Sequence, residues 1–596
     1  MQLHTIDITI IIAYLVGIVI VGFLLSKRAG KNLDSYFLSG KSVPWYLLGI
    51  SCASSSFDIT GTMWFVYIIF IYGLKGAWIP WIWPTFIVIF HMVYLAKWIR
   101  RSNVLTGAEW IATRFGSGLG GKLSQLSVVF FAIVSVIGFL SYGFQGIGKF
   151  AATFLPWDLS PNTYAVILMS LTTTYVILGG MYSVVLTDIV QFLFLTVSSV
   201  LIAVVAMSRI SPAQIAAATP QGWQNFFFGW HLNLDWSNII PAVNDNIARD
   251  GYSLFFIFVM MILFKGILIS MAGVAPNFDM QRILATRTPK EASLMDFSIS
   301  IYLFPRWFMI SGIAILGLVF FGPQLNAMGP DIDFEMVLPY VINNFIPTGL
   351  LGLLLAGLLA AFMSTFDSTV NAGAAYITND IYKTYINPNA SDKQYVRVGY
   401  VASILIVVVG IIFGFMAKSI GSVTMWIVAG LYGGYAAPNI LKWYWWRLNG
   451  YGYFWGMIIG IITAMILPVL FPQLSALNSF PIILVVSALA CVLASLLSKP
   501  QEESVLKAFY TNVRPWGFWK PIHQKVVQEN PNFKKNTDFK RDMVNIAVGL
   551  IWQVTLVVIP IYIVIKNFKA AGISALVLII TSLFLKKNWY NKLEED

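Results

Sequence analysis

The chain reads as an all-α polytopic membrane protein with about fifteen transmembrane helices. It has 596 residues, 58% hydrophobic and only 11% charged, with a mean hydropathy of +0.76. A soluble domain cannot hide that much apolar surface. The apolar residues also come in runs long enough to cross a bilayer as helices, at 6–25, 45–72, 77–97, 124–153, 161–178, 182–207, 251–275, 297–321, 346–382, 395–417, 420–441, 453–471, 479–498, 544–565 and 571–586. Third, the cations cluster between these runs: Lys27-Arg28, Arg100-Arg101 with Arg114, Arg282 with Arg287, Lys383 with Lys393, and Lys442 with Arg447. All fall on one side if every run crosses and the N-terminus is outside, as the positive-inside rule requires. Only Lys566 and Lys569 disagree. The +12 net charge is therefore read as loop bias, with no nucleic-acid partner.

Taken in order, residues 1–44 give an extra N-terminal helix and loop. Met1–Asp7 lacks basic residues and no small-residue cleavage site follows, so this span is not read as a cleavable signal. Residues 45–207 hold five runs, the first broken by the polar stretch Ser51–Thr62. Residues 208–250 are poor in cations and carry Trp223, Trp230 and Trp236, as an external loop would. Residues 251–447 hold five more runs, the first interrupted by Lys265-Gly266 and later Gly273. Five crossings invert direction, so the two units run oppositely. Irregular backbone at membrane depth is tolerated where it lines a cavity, and interruptions at matching places in two halves point to a binding site there. Residues 448–498 give two peripheral helices. Residues 499–543 are basic and aromatic, read as a cytoplasmic amphipathic segment at the headgroups. Residues 544–596 give the C-terminal helices. Cys52 and Cys491 lie in different apolar runs, so no disulfide framework is indicated, and the four His are scattered.

The most informative residues follow the apolar stretch Leu350–Met363. There, Ser364-Thr365-Phe366-Asp367-Ser368-Thr369-Val370-Asn371 places hydroxyls and a carboxylate at mid-depth. Such groups cost several kcal/mol in lipid unless water, ions or partners meet them. Ala361, Ser364, Thr365 and Ser368 are spaced i, i+3, i+4 and i+7, on one helix face. That face offers a carbonyl and hydroxyl oxygens, hard ligands for a hard cation such as sodium. The bland alternative is hydroxyl back-bonding to the preceding turn.

Several motifs are similar to those of one family. Ala361–Ser368, with Thr378-Asn379-Asp380-Ile381-Tyr382, resembles the eighth core helix of the sodium/solute symporter family, which includes the sodium–glucose and sodium–proline carriers. Gly179–Gln191 resembles that family's fifth-helix signature, and Asp58-Ile59-Thr60-Gly61 its broken first core helix. Ala437–Arg447 and Arg514-Pro515-Trp516-Gly517 look like bacterial members. The resemblance implies an inverted five-helix repeat with broken first and sixth core helices, a LeuT-like architecture. It implies a first sodium held by carbonyls of Ser56 and Ile59 (Ser54 and Phe57 in the alternative register) with Ala361, Ser364 and Thr365. It implies a second sodium near Asp188, Ser364, Asp367 and Ser368. Candidate solute contacts are Asp58, Thr60, Gly61, Trp81, Lys265 and Gly273. The sugar carriers' acidic residue on the second core helix is replaced here by Trp81, so sugar specificity does not carry over.

Some roles stay open. Asp188 is a second-site ligand or a helix-end carboxylate at the cytoplasmic interface. Asp58 contacts the solute or holds the broken backbone. Lys265 neutralises Asp58, binds an anionic solute or reaches a vestibule. Trp64, Trp81, Trp83 and Trp426 read more readily as packing than as solute walls, and His91 as a satisfied buried His. The expectation is a sodium-coupled symporter, not an enzyme, importing a small polar organic solute across the bacterial inner membrane by alternating access. Sugars, sugar acids, carboxylates and amino acids are all open, and no obligate protein partner is evident. The rivals are a proton-coupled carrier using Asp188 and Asp367, and a transporter-like sensor.

Overall fold

A computed structural model describes residues 3–594 apart from 30, 58, 83–84, 103, 276–277, 328–333, 335–336, 418–431 and 472. The principal helices are α1 (Thr5–Ala29), α2 (Trp45–Ser56), α3 (Ile59–Tyr72), α4 (Leu119–Phe154), α5 (Pro161–Arg209), α6 (Phe255–Ala272), α7 (Phe278–Ala285), α8 (Pro289–Tyr302), α9 (Phe304–Ala327), α10 (Leu350–Ala375), α11 (Asp392–Met416), α12 (Tyr432–Tyr444), α13 (Gly450–Leu470), α14 (Ala476–Leu497), α15 (Glu503–Val513), α16 (Lys520–Glu529), α17 (Phe539–Val564) and α18 (Phe568–Asn588). Polar side chains set several starts: Ser160 with Pro161 at α5, Thr288 with Pro289 at α8, Ser391 at α11 and Asn449 at α13 each accept a backbone N–H of the first turn.

Eleven helices among the described residues are long and apolar enough to cross a membrane. The chain is a multi-pass membrane protein. Four of the fifteen expected crossings are not among the eleven. The apolar part of α1 is the shorter Thr5–Val21. Residues 77–97 are broken into 3-10, α and π turns around Pro80. Residues 161–178 are one arm of the 49-residue α5, which Gly180 (φ 50°, ψ −149°) divides. Most of 420–441 lies outside the described residues.

Both expected interruptions are present. The first falls after Ser56, where Phe57 leaves the helical region and α3 starts at Ile59. The second falls after Ala272. Gly273 has φ +85°, a conformation that L side chains rarely adopt, and α7 resumes at Phe278. Lys265-Gly266 does not break the helix: α6 is continuous through both.

Helix α10 lies at the centre, packed on α5, α1, α4, α2 and α11. Its start is tied to α1. Asp7 Oδ1 accepts the N–H groups of Gly349 and Gly352, each at 2.7 Å. These are donors that a helix N-terminus cannot satisfy for itself. The loop over 208–250 is not purely a surface feature, since Trp223 and Trp236 are buried while Trp230 is exposed. The 499–543 segment is docked on protein rather than lying free at headgroups. Trp519 Nε1 donates to Trp443 O at 2.8 Å, Arg101 Nη1 to Val513 O at 2.9 Å, and Trp516 and Trp519 are buried.

Candidate functional site

The hydroxyl ridge of α10 faces protein. Ser364, Asp367 and Ser368 are buried and turned toward α2 and α5. The polar C-terminal end of α2 meets this ridge just before the first interruption. Thr365 Oγ1 donates to Ser55 O at 2.6 Å and lies 3.2 Å from Ala361 O. Its hydroxyl thus joins a carbonyl at the end of α2 to the carbonyl one turn earlier on α10. Beside it, a narrow recess with room for about one water-sized body is lined by Ile59, Phe139, Tyr142, Phe362, Thr365 and Thr369.

The register at the break differs by one residue from either expectation. The carbonyl facing Thr365 is that of Ser55, whereas Ser56 O accepts from Arg306 Nη1 at 2.6 Å. The reason is that α2 stays helical through Ser56, with Phe57 N still bonded to Ser54 O at 3.0 Å. Arg306, on α9, lies over the rings of Phe57 (5.5 Å) and Phe65 (4.4 Å), so a guanidinium braces the interruption.

A second polar cluster lies beside the first. Asp188 on α5 is fully buried in protein. Its Oδ2 accepts from Ser51 and lies 3.4 Å from Arg282 Nη2. With its amide oriented so that the nitrogen faces the acceptors, Gln191 donates to Asp188 Oδ1 at 3.1 Å and to Ala360 O at 3.3 Å, and its oxygen accepts from Tyr14 at 2.8 Å. Asp367 Oδ2 accepts from Tyr175 at 2.8 Å, and Oδ1 lies 3.2 Å from Ser368 Oγ. Ser55 Oγ is 3.1 Å from Ser364 Oγ and 3.4 Å from Ser368 Oγ. Into this cluster reaches Arg282 of α7. Its Nε donates to Ser51 Oγ at 2.9 Å, and its Nη2 donates to Ser55 Oγ and Ser368 Oγ at 2.6 Å each.

The expected residues Ile59, Ala361, Ser364 and Thr365 are thus brought together, and so are Asp188, Asp367 and Ser368 beside them. The expected solute contacts are more scattered. Asp58 lies outside the described residues, as do Trp83 and Trp426. Thr60 and Gly61 stand in the first turn of α3. Trp81 is packed against Phe86, ring centroids 3.7 Å apart, away from the recess. Lys265 is buried with its amine 5.7 Å from the ring of Phe480 and no hydrogen-bond partner among the described residues. Its position around α6 turns it toward the peripheral helix α14. Gly273 marks the second interruption, and its carbonyl accepts from Tyr435 at 3.1 Å. His91 pairs with Asp296, Nδ1 to Oδ1 3.5 Å.

Ser51, Ser55, Tyr175, Gln191, Arg282 and Arg306 belong to this candidate site although sequence reasoning did not select them. Ser55 sits inside the Ser54-Ser55-Ser56 run, and Arg282 reads in the sequence as one of the loop cations.

The profile of the sodium:solute symporter family matches residues 36–460. The chain belongs to the sodium:solute symporter family. It is 25% identical over 491 residues to a sodium/glucose cotransporter of Vibrio parahaemolyticus, covering 78% of this chain and 84% of that one. It is 23% identical over 505 residues to sodium/glucose cotransporter 4 of Danio rerio, covering 78% and 72%. A solved Na+-coupled sialic acid symporter, in a substrate-bound outward-open state, superposes with a TM-score of 0.65 at 18% identity, covering 84% of this chain and 100% of that one. The last likeness establishes a shared transporter fold. As a sodium:solute symporter family member the chain is grouped with transporters, not enzymes, and sodium is the coupling ion that membership implies.

Proposed function

We propose that this symporter imports a small polar organic solute with sodium by alternating access, residing in the bacterial inner membrane with its N-terminus outside. The observation that carries the reading is the Thr365 hydroxyl between Ser55 O and Ala361 O, at the break of the first unit. Sodium is held there by oxygens of Ala361, Ser364 and Thr365 with carbonyls at the end of α2 and at Ile59. The ion then ties the broken helix of the first unit to α10 of the second. Because the linkage is reciprocal, sodium raises solute affinity by the factor by which solute raises sodium affinity. Each sodium moving inward across 100 mV adds about 2.3 kcal/mol.

The second cluster, Asp188, Asp367 and Ser368, supplies a second cation position. Relatives named for glucose and a fold neighbour named for sialic acid leave sugars, sugar acids, carboxylates and amino acids as candidate solutes. Trp81 in place of an acidic residue, packed on Phe86, weighs against simple hexoses. The test is a solute panel in proteoliposomes, with sodium replaced by choline. Thr365→Ala should raise the sodium concentration for half-maximal uptake at least tenfold, about 1.4 kcal/mol; unchanged sodium activation refutes the assignment. The two buried carboxylates also support a proton-coupled variant, which uptake driven by a pH gradient in sodium-free buffer would reveal.

A further inference from the structure

We propose that Arg282 and the second sodium ion are alternative occupants of one site, so that sodium enters the Asp188–Ser368 cluster only when the guanidinium leaves it. This deepens the sodium-symport reading and rests on it.

The geometry leaves no room for both. Nη2 of Arg282 is 2.6 Å from Ser55 Oγ, 2.6 Å from Ser368 Oγ and 3.4 Å from Asp188 Oδ2. A hard cation bound by oxygens sits about 2.4 Å from each of them. An ion meeting Ser368, Ser55 and Asp188 at that distance would stand on the position of Nη2. The guanidinium also uses the acceptor capacity of the site, since Nε donates to Ser51 Oγ at 2.9 Å while Ser51 in turn donates to Asp188. Arg282 is thus a tethered cation with the charge and oxygen partners of an ion.

Charge points the same way. Asp188 is fully buried, and Arg282 is the cation hydrogen-bonded to it, 3.4 Å from Oδ2. A buried carboxylate left uncompensated is strongly destabilising, so departure of the guanidinium is favoured when another cation arrives in its place.

The elements joined give this exchange its consequence. Arg282 belongs to α7, beyond the second interruption. Its partners belong to α2, before the first interruption, and to α5 and α10. One side chain therefore holds the two half-helices to each other and to the rest of the bundle. Exchanging it for an unattached ion releases α7 while keeping α2, α5 and α10 bridged.

The experiment measures radiosodium binding to the purified full-length protein, with choline holding ionic strength constant, for wild type, Arg282→Gln, Arg282→Lys and the double variant Arg282→Gln/Asp188→Asn. Arg282→Gln should bind its second sodium at least tenfold more tightly than wild type, because the tethered competitor is gone, and the double variant should lose that gain. Arg282→Lys, which keeps the charge but not the planar fork, should shift in the same direction by less; it carries the test if Arg282→Gln does not fold. Unchanged or weaker sodium binding in either single variant overturns the inference, as does a gain that persists without Asp188. If wild type binds no sodium, the symport reading falls as well. If wild type binds sodium and the variants leave it unmoved, only the exchange falls.

Discussion

Asp7 is the perturbation whose cost follows most directly from the structure. Its carboxylate is buried, and one oxygen accepts two backbone N–H groups at the start of α10, Gly349 and Gly352, at 2.7 Å each. Hydrogen bonds to charged groups contribute about 1.5–3 kcal/mol each, and a buried donor left unmatched costs about 1–3 kcal/mol. Asp7→Ala strands two donors, so a loss of about 2–5 kcal/mol is expected. Asp7→Asn keeps an acceptor without the charge and should lose roughly half as much, since charge-assisted bonds are about twice as strong as neutral ones. The assay is thermal unfolding of the purified protein in one detergent, with hydrogen exchange across 349–354. Asp7→Ala should unfold several degrees earlier, Asp7→Asn in between, and Gly352 N–H should exchange faster in both. An Asp7→Ala protein that melts with wild type, or exchanges normally at Gly352, would show that α1 does not hold the ion-bearing helix in place.

Further outcomes are expected elsewhere. Asp367→Asn should lower the sodium-to-solute ratio in a reversal-potential measurement, because it removes a carboxylate that Tyr175 and Ser368 hold in the second cluster. Lys265→Met should raise the unfolding temperature, since it replaces a buried amine with no hydrogen-bond partner among the described residues by an apolar chain of similar length, a change of about 1–3 kcal/mol. Uptake of anionic and neutral solutes should be unaffected by it, and selective loss of anions would place the amine in the solute path after all. In the 208–250 loop, burial pushes the Asp250 carboxyl above its usual range, against the hydroxyls of Tyr72 and Tyr67 that lower it. A carboxyl raised by folding favours the docked form in acid, and that contribution is lost as pH rises through the raised value. Limited proteolysis near 242–253 should therefore increase with pH over that interval, and Asp250→Asn should flatten the dependence.

The membrane class, the two interruptions and the face of α10 were legible because each leaves a local mark: apolar run length, polar residues at depth, and i, i+3, i+4 spacing. Gly273 was legible as one of two places where the seventh run could be interrupted, Lys265-Gly266 being the other. The structure shows why a glycine stands there: its φ of +85° strains any L side chain, and Trp443 Nε1 lies 3.3 Å from where a Cβ would stand. The role of Arg282 was not legible, because its partners Ser51, Asp188 and Ser368 are up to 231 residues away and on three other helices. The direction of Lys265, whose amine lies 5.7 Å from the Phe480 ring, was hidden for a related reason. Depth along a helix is a one-dimensional property, but the direction of a side chain around it is set by neighbours. Arg114 shows the same limit. It reads as a loop cation, yet it is wholly buried and donates to the carbonyls of Lys442, Trp445 and Leu448.

That last arrangement bears on which parts of the carrier travel together. Arg101, Arg114, Trp443, Phe509 and Trp519 interlock the end of the second run, the approach to α4, the end of α12 and the post-repeat segment α15–α16. Helices splinted in this way rock as one block. Arg100, beside Arg101, extends that block to the carbonyls of Thr286 and Arg287 just past α7, at 2.6 and 3.0 Å.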